Sequence, residues 1–433
     1  MKPILLALSV GALALGGCAT LPTPSDRTSA EAPHRFIVDS VATARINATL
    51  QDMTQSGAIV GASALIYEHG REVYYGAFGY ADREAQRPYA RNTIVQIFSM
   101  TKPIVGVALM TLYEQGKFNL DDPLSKYLPE YANVRVYAGQ DAHGQPILEA
   151  PHREILVRDI TRHTAGFANG AGDDNVGPLY AAADPGNYNN TLTELSQRLA
   201  SVPLLYHPGE HWRYSNAVDI QARLVEVLSG EPFDRYVQEH VLTPLRMNET
   251  RYYVPESDRG RMAVIYDRAD DGAFTRKPDD EDYRFNTNHW ALTPGSFGFT
   301  STLDDYMRFA RMLQNGGELD GVRVLRRETV RLMATNQLAD SVTERWWLPS
   351  KGQVGFGIDF AVRIHPPQTS AENNGAVGEF FWDGAASTLF WVDPVNDLEA
   401  VLFTQMMPFD KVSLHKRFRD AVYGPARIPP VAG

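Results

Sequence analysis

Apolar positions along this chain follow two rhythms, and each change of rhythm marks a change of element. From about residue 36 to 53, Ile46, Leu50 and Met53 recur at helical spacing on one stripe, which predicts an amphipathic helix. The runs "IVGASALIYEHG" and "REVYYGAFGYA" that follow are rich in strand-forming residues and meet at His69-Gly70, so they predict an antiparallel hairpin turning at that pair. "NTIVQIF" predicts another short strand. From Ser99 to Gln115 the pattern is helical again, with Pro103 in the first turn, where its missing N–H costs nothing, and Gly116 closing the helix.

Beyond about Glu130 the regularity gives way to stretches rich in Gly, Asn and Asp, such as "ANGAGDDNVG", broken by helical pieces near 191–200 and 216–229. A second regular region opens near Leu292. There "STLDDYMRFARMLQNGG" predicts a helix N-capped at Ser301 or Thr302, and "RRETVRLMATNQL" predicts another. Strand-like runs follow in "VGFGIDFAVRI", "GEFFWDGA", "STLFWVDP" and "LEAVLFTQM", then a closing helix from about Val412 to Val422. Strands at both ends and helices between them predict an α+β fold. Residues 34–130 and 292–433 would build one antiparallel sheet with its flanking helices, and residues 131–291 a mainly helical insert.

Composition narrows the class. The 433 residues, 44% hydrophobic and 21% charged, are those of a globular protein with ample material for a core. A net charge of −11, with no basic run able to neutralise phosphates, excludes nucleic acid as a partner. At the N-terminus Lys2 precedes an apolar stretch, Ile4 to Leu15, that is too short to span a bilayer and has the length of a signal-peptide core. The single cysteine, Cys18, follows directly in "LGGC", which resembles the lipobox at which bacterial lipoproteins are cleaved and acylated. Residues 1–18 are therefore expected to act as a lipoprotein signal, with Cys18 as the lipidated residue. Residues 19–33, rich in Pro, Ser, Thr and Ala, would be a flexible tether. The expected location is a periplasm-facing membrane surface, reached through the lipid anchor. Ala19, in place of aspartate, points to the outer membrane if the host has two. With no other thiol, the mature chain can form no internal disulfide and has no cysteine nucleophile or ligand.

Three local patterns could carry chemistry. Ser99 and Lys102 in "IFSMTK" stand three residues apart, on one helical face, where a lysine kept partly neutral could take the serine proton. Ser413 and Lys416 repeat the spacing, on what reads as an exposed helix face. In "WRYSN", Tyr214 could share a proton with a lysine and Asn216 could hold a carbonyl, yet Tyr131 with Asn133 and Tyr188 with Asn190 match that pattern too. In "FFWDGAAST", Gly384 and Ala385 offer small residues at which a backbone N–H could approach a substrate oxygen, or simply a strand bend. "HPGEH", His207 to His211, spells a zinc signature that needs one helical turn, which Pro208-Gly209 breaks, so no metal is expected. The G-x-S-x-G elbow occurs nowhere in the chain.

Taken in order, "FSMTKP", "VRDITRHTAGF", "PGEHWRYSNAVDIQARLVEVLSG", "TSTLDDYMRFARMLQNGGELDGVRVL" and "FFWDGAASTLFWVDP" resemble the serine β-lactamase and penicillin-binding-protein superfamily. The nearest likeness is to the family VIII carboxylesterases, which are similar to class C β-lactamases. The resemblance spans about residues 40–408 and selects Ser99 and Tyr214 from among their duplicates. It implies a β-lactamase/transpeptidase-like fold with the active site between the sheet domain and the helical domain. It also implies an acyl-enzyme on Ser99, with Lys102 and Tyr214 as the base pair and no cofactor. The backbone N–H groups of Ser99 and Ala385 would hold the oxyanion, and Asn216, Trp382 and Gly384 would contact the substrate.

Relatives that act on β-lactams or peptides carry a lysine or histidine where this chain has Trp382, and family VIII esterases usually show Trp-Gly-Gly where it has Trp382-Asp383-Gly384. An indole cannot pair with a substrate carboxylate, which favours a short, uncharged ester. Strand alternation places Asp383 on the face opposite Trp382 and Gly384. The competing expectations are a β-lactamase or D,D-peptidase, and a non-catalytic penicillin-recognising sensor. The oligomeric state is not legible.

Overall fold

The computed structural model describes residues 36–173 and 175–425. The predicted signal, Cys18 and the tether lie outside them. Eight strands form one antiparallel sheet: β1 Gly61–Glu68, β2 Arg71–Asp82, β3 Arg87–Pro88, β4 Val354–Phe356, β5 Ala361–Arg363, β6 Phe380–Asp383, β7 Leu389–Asp393 and β8 Leu398–Phe403. Their spatial order is β4-β5-β6-β7-β8-β1-β2-β3, so the two ends of the chain meet where β8 pairs with β1. The principal helices are α1 Ser40–Gln55, α2 Thr101–Glu114, α3 Leu192–Ala200, α4 Ala217–Ser229, α5 Leu303–Gln314 and α6 Leu414–Tyr423.

Local chemistry explains these elements. The β1–β2 hairpin turns at His69 and Gly70, whose φ angles of 51° and 69° suit a tight right-twisted turn. Asp39 caps α1 by accepting from Val41 and Ala42 N–H, and Thr302 caps α5 by accepting from Asp305 N–H. Both faces of the sheet are covered. Phe390 of β7 packs on Tyr306 of α5 with ring centres 5.0 Å apart, while its neighbour Trp391 packs on Phe418 of α6 at 5.6 Å. Burial on both sides is why these strands read as continuous apolar runs rather than alternating ones.

Three details depart from the sequence reading. "VGFGIDFAVRI" is not one strand but the β4–β5 hairpin, reversed around Asp359 with φ of 60°. The insert also carries short strands, Val136–Gln140 with Pro146–Glu149 and Tyr266–Arg268 with Phe274–Arg276. And α2, grouped by the sequence with the sheet segment, packs instead against α4 of the insert. It is buried nearly all round, as a helix at the centre of a layer must be.

Candidate active site

The nucleophile turn is built by backbone constraint. Ile97 N–H donates to the Phe299 carbonyl at 3.0 Å, a single turn of 3₁₀ helix spans Phe98–Met100, and α2 begins at Thr101. Phe98 adopts φ of 45°, a left-handed conformation that a bulky residue takes only where its surroundings enforce it. That kink projects Ser99 from the head of α2, while Lys102 lies one turn further on and is buried.

Lys102 Nζ stands 3.2 Å from Ser99 Oγ, donates to the Ser296 carbonyl at 2.6 Å, and lies 4.5 Å from the centre of the Tyr214 ring. Burial pushes the Lys102 ammonium down to about 8, opposed by the charges of Asp219, Asp359 and Asp383. Burial also raises Asp359's own carboxyl well above its ordinary range. Burial likewise raises the Tyr214 phenol, and the neighbouring Ser99 hydroxyl and Trp382 indole offset this only in part. Among the described residues Tyr214 Oη and Trp382 Nε1 are buried without a hydrogen bond of good geometry.

Trp382, the third residue of β6, packs on Tyr214 at 5.5 Å and on Phe356 at 5.3 Å. Gly384 follows, and no other residue fits there: a Cβ would stand 2.5 Å from the Ile97 carbonyl oxygen. The glycine lets the end of β6 close on the nucleophile turn. It also sets Ala385, whose N–H donates to no protein acceptor among the described residues, in the cavity that Ser99 opens into. That cavity has a volume of about 400 Å³ and is walled by Tyr214, Trp347, Trp382 and Phe409. A larger one of about 600 Å³, lined by Phe98, Tyr188, Phe285 and Met407 among others, adjoins it across the nucleophile turn. Ser99 opens onto the smaller, so that is where its chemistry belongs.

Two expectations about individual side chains need correcting. Asn216 does not face the cavity: its amide oxygen accepts from Tyr180 Oη at 3.0 Å and its amide nitrogen donates to Asp219 Oδ2 at 3.0 Å. Both ends of the amide are therefore used inside the protein. Asp383 lines the same cavity as Trp382 rather than the opposite face. Strand alternation lapses at this last residue of β6, and Lys351 draws the carboxylate inward by donating to it. The duplicated patterns go elsewhere. Lys416 pairs with Asp420 at 2.6 Å, Tyr131 Oη donates to the Ser196 carbonyl, and Tyr188 belongs to the larger cavity. His207 and His211 sit in a loop and face separate carboxylates, those of Glu149 and Glu344.

Several contributors had no motif to reveal them. Neutral His163, whose imidazole burial holds well below its ordinary value, packs 4.7 Å from the Tyr214 ring and accepts from Ser215 N–H at 3.3 Å. Only its place inside "VRDITRHTAGF" could have drawn notice. Trp347 stacks edge-on against Tyr214 at 5.2 Å, and Lys351 and Phe409 complete the wall. Trp347 and Phe409 come from loops and Lys351 from the single 3₁₀ turn Leu348–Lys351.

A serine beside a buried, partly neutral lysine and a buried tyrosine, under a small residue with a free N–H, defines a serine acyl-transfer site on an α+β scaffold. A sequence profile of the Beta-lactamase family matches residues 46–423, and the chain belongs to that family. It is 33% identical over 372 residues to Protein Rv1367c of Mycobacterium tuberculosis, covering 83% of this chain and 89% of that one. It is 29% identical over 415 residues to Esterase EstB of Burkholderia gladioli, covering 90% and 98%. Among solved structures it superposes on EstCE1, described as a hydrolase with promiscuous acyltransferase activity. That match has a TM-score of 0.74 at 26% identity and covers 90% of this chain and all of that one.

Proposed function

We propose that the protein is a serine carboxylesterase acting on short, uncharged acyl esters. The observation that carries the reading is Lys102, buried and held at about 8 within hydrogen-bonding distance of Ser99 Oγ, beside a pocket whose third-motif position is Trp382 rather than a cation. About one Lys102 in ten is then the free amine at neutral pH, enough to act as a base. Neutral Lys102 takes the Ser99 proton as Oγ bonds to the ester carbonyl carbon, and the N–H groups of Ser99 and Ala385 receive the oxyanion. The C–O bond to the alcohol breaks as that oxygen takes a proton from Tyr214, and the Lys102 ammonium returns the Ser99 proton to the phenolate. Water then attacks the acyl-enzyme by the same route in reverse, releasing the acid and restoring Ser99. Because the phenol is raised rather than lowered, Tyr214 serves as the proton donor and Lys102 as the base.

The similarity to EstB and EstCE1 supports this reading, and EstCE1's described acyltransferase activity makes an alcohol a plausible competitor of water. The set of Ser99, Lys102 and Tyr214 is complete, which weighs against a non-catalytic sensor. Turnover of p-nitrophenyl butyrate by wild type, lost in Ser99→Ala, tests the reading; turnover that survives the substitution, or nitrocefin hydrolysis far faster than ester hydrolysis, contradicts it. We also propose that Cys18 carries a lipid anchor, on the strength of the lipobox-like "LGGC". In that case Cys18→Ser moves the protein from the membrane to the soluble fraction, and unchanged fractionation refutes the anchor.

A further inference from the structure

The cavity beside Ser99 contains a second lysine that the mechanism above does not use. Lys351, at the end of the 3₁₀ turn Leu348–Lys351, is only 5% exposed. Its ammonium lies 4.7 Å from the ring centre of Phe409, 5.0 Å from Trp382 and 5.1 Å from Trp347, and it donates to the carboxylate of Asp383. Three aromatic faces favour a cation at this point of the pocket wall. Asp383, 7% exposed, supplies the anion. The chain thus has a positive group next to the third-motif position after all, brought by a loop rather than by β6, with a carboxylate of its own already seated on it.

We propose that the Lys351–Asp383 pair sets the charge selectivity of the pocket. Asp383 occupies Lys351 as a built-in carboxylate, so that uncharged esters are accepted. Loss of the Asp383 charge turns Lys351 into a subsite for acyl groups that carry a carboxylate. This rests on the esterase reading and deepens it by naming the substrate class. The physical basis is the asymmetry of buried pairs: together the two charges cancel, but with one partner removed the other is stranded in a low-dielectric wall and will favour a ligand of opposite sign. An incoming carboxylate meets Asp383 as a like charge in the wild type and meets only Lys351 when Asp383 is neutral.

The test compares 4-nitrophenyl hexanoate with mono-4-nitrophenyl adipate, which have acyl chains of equal length, one ending in methyl and the other in carboxylate. The readout is the ratio of their kcat/KM values, from which general damage to the site cancels. Wild type is expected to favour the hexanoate by about tenfold or more. Asp383→Asn should shift the ratio toward the adipate by about tenfold, Lys351→Met should shift it the other way, and the double variant should fall between the two. A pair that merely ties the loop to β6 would move the ratio in neither direction or in one direction for both. Either of those outcomes overturns the inference, as does a wild type that prefers the adipate, a measurement that stands even if a variant fails to fold. Ester turnover that persists in Ser99→Ala would defeat the esterase reading itself, whereas turnover that depends on Ser99 with unmoved ratios defeats only the charge selectivity.

Discussion

Asp219 holds Ser296 at two points, accepting from its backbone N–H at 2.9 Å and from its hydroxyl at 2.8 Å. The Ser296 carbonyl in turn accepts from Lys102. Asp219 is itself fixed by the Asn216 amide, which Tyr180 holds from the other side. The lysine's position therefore depends on a relay that begins on α4, outside the reacting atoms. Asp219 is also the first of the charges that hold the Lys102 ammonium up against burial. Asp219→Ala is expected to lower kcat by about a hundredfold through misplacement of Lys102. It should also move the acid limb of the pH profile to lower pH, because the free amine gains once that charge is gone. A fall in kcat with the limb unmoved would mean that Asp219 does not act through Lys102.

For the wild type, kcat/KM should rise with pH as Lys102 loses its proton and level off above about pH 8. Were the Tyr214 phenolate the base, the rise would continue past pH 10, since that group is raised from its ordinary value. Tyr214→Phe removes a hydroxyl that has no well-formed hydrogen bond in the free protein and keeps the ring contacts with Trp347 and Trp382. It should cost about 10²- to 10⁴-fold in kcat with Tm moved by no more than about 3 °C. Stability carries the same signature. The folded value of Lys102 lies below the 10.5 of a free lysine, so the unfolded chain binds the extra proton between the two. The cost of burying Lys102 therefore falls as pH rises through that window.

Gly384→Ala tests the closure of β6 on the nucleophile turn. The added Cβ would stand 2.5 Å from the Ile97 carbonyl oxygen, a backbone atom that cannot step aside. Denaturant unfolding should show a loss of about 1–3 kcal/mol. Activity should fall further than stability explains, because the strain reaches Ala385, the next residue and an expected oxyanion donor. A variant as active and as stable as wild type would mean that the turn and the strand can separate freely.

What the sequence revealed depended on how local the determinant was. The β1–β2 hairpin turns on two adjacent residues and is legible from a short window, whereas the Ser99–Lys102 spacing recurs at Ser413 and Lys416 and is singled out only by the ordered set of segments around it. The reading of Asn216 fails because its amide is held by Tyr180, which approaches α4 from a distant segment, as well as by Asp219 one turn along the helix. Asp383 was misread because the period of two holds inside a strand but not at its last residue, where Lys351, thirty-two positions earlier, decides the direction. Trp347 and Phe409 reach the cavity from loops and Lys351 from a single 3₁₀ turn, with no periodicity to betray them.

The central claim is that an ester acylates Ser99. The most direct measurement is mass spectrometry of the protein quenched soon after mixing with p-nitrophenyl butyrate, followed by mapping of the modified peptide. The account predicts the added mass of one butyryl group on the peptide containing Ser99, absent in Ser99→Ala and accumulating when deacylation is slowed. Ester turnover with no such adduct under any quench, or with the adduct on another residue, would contradict it.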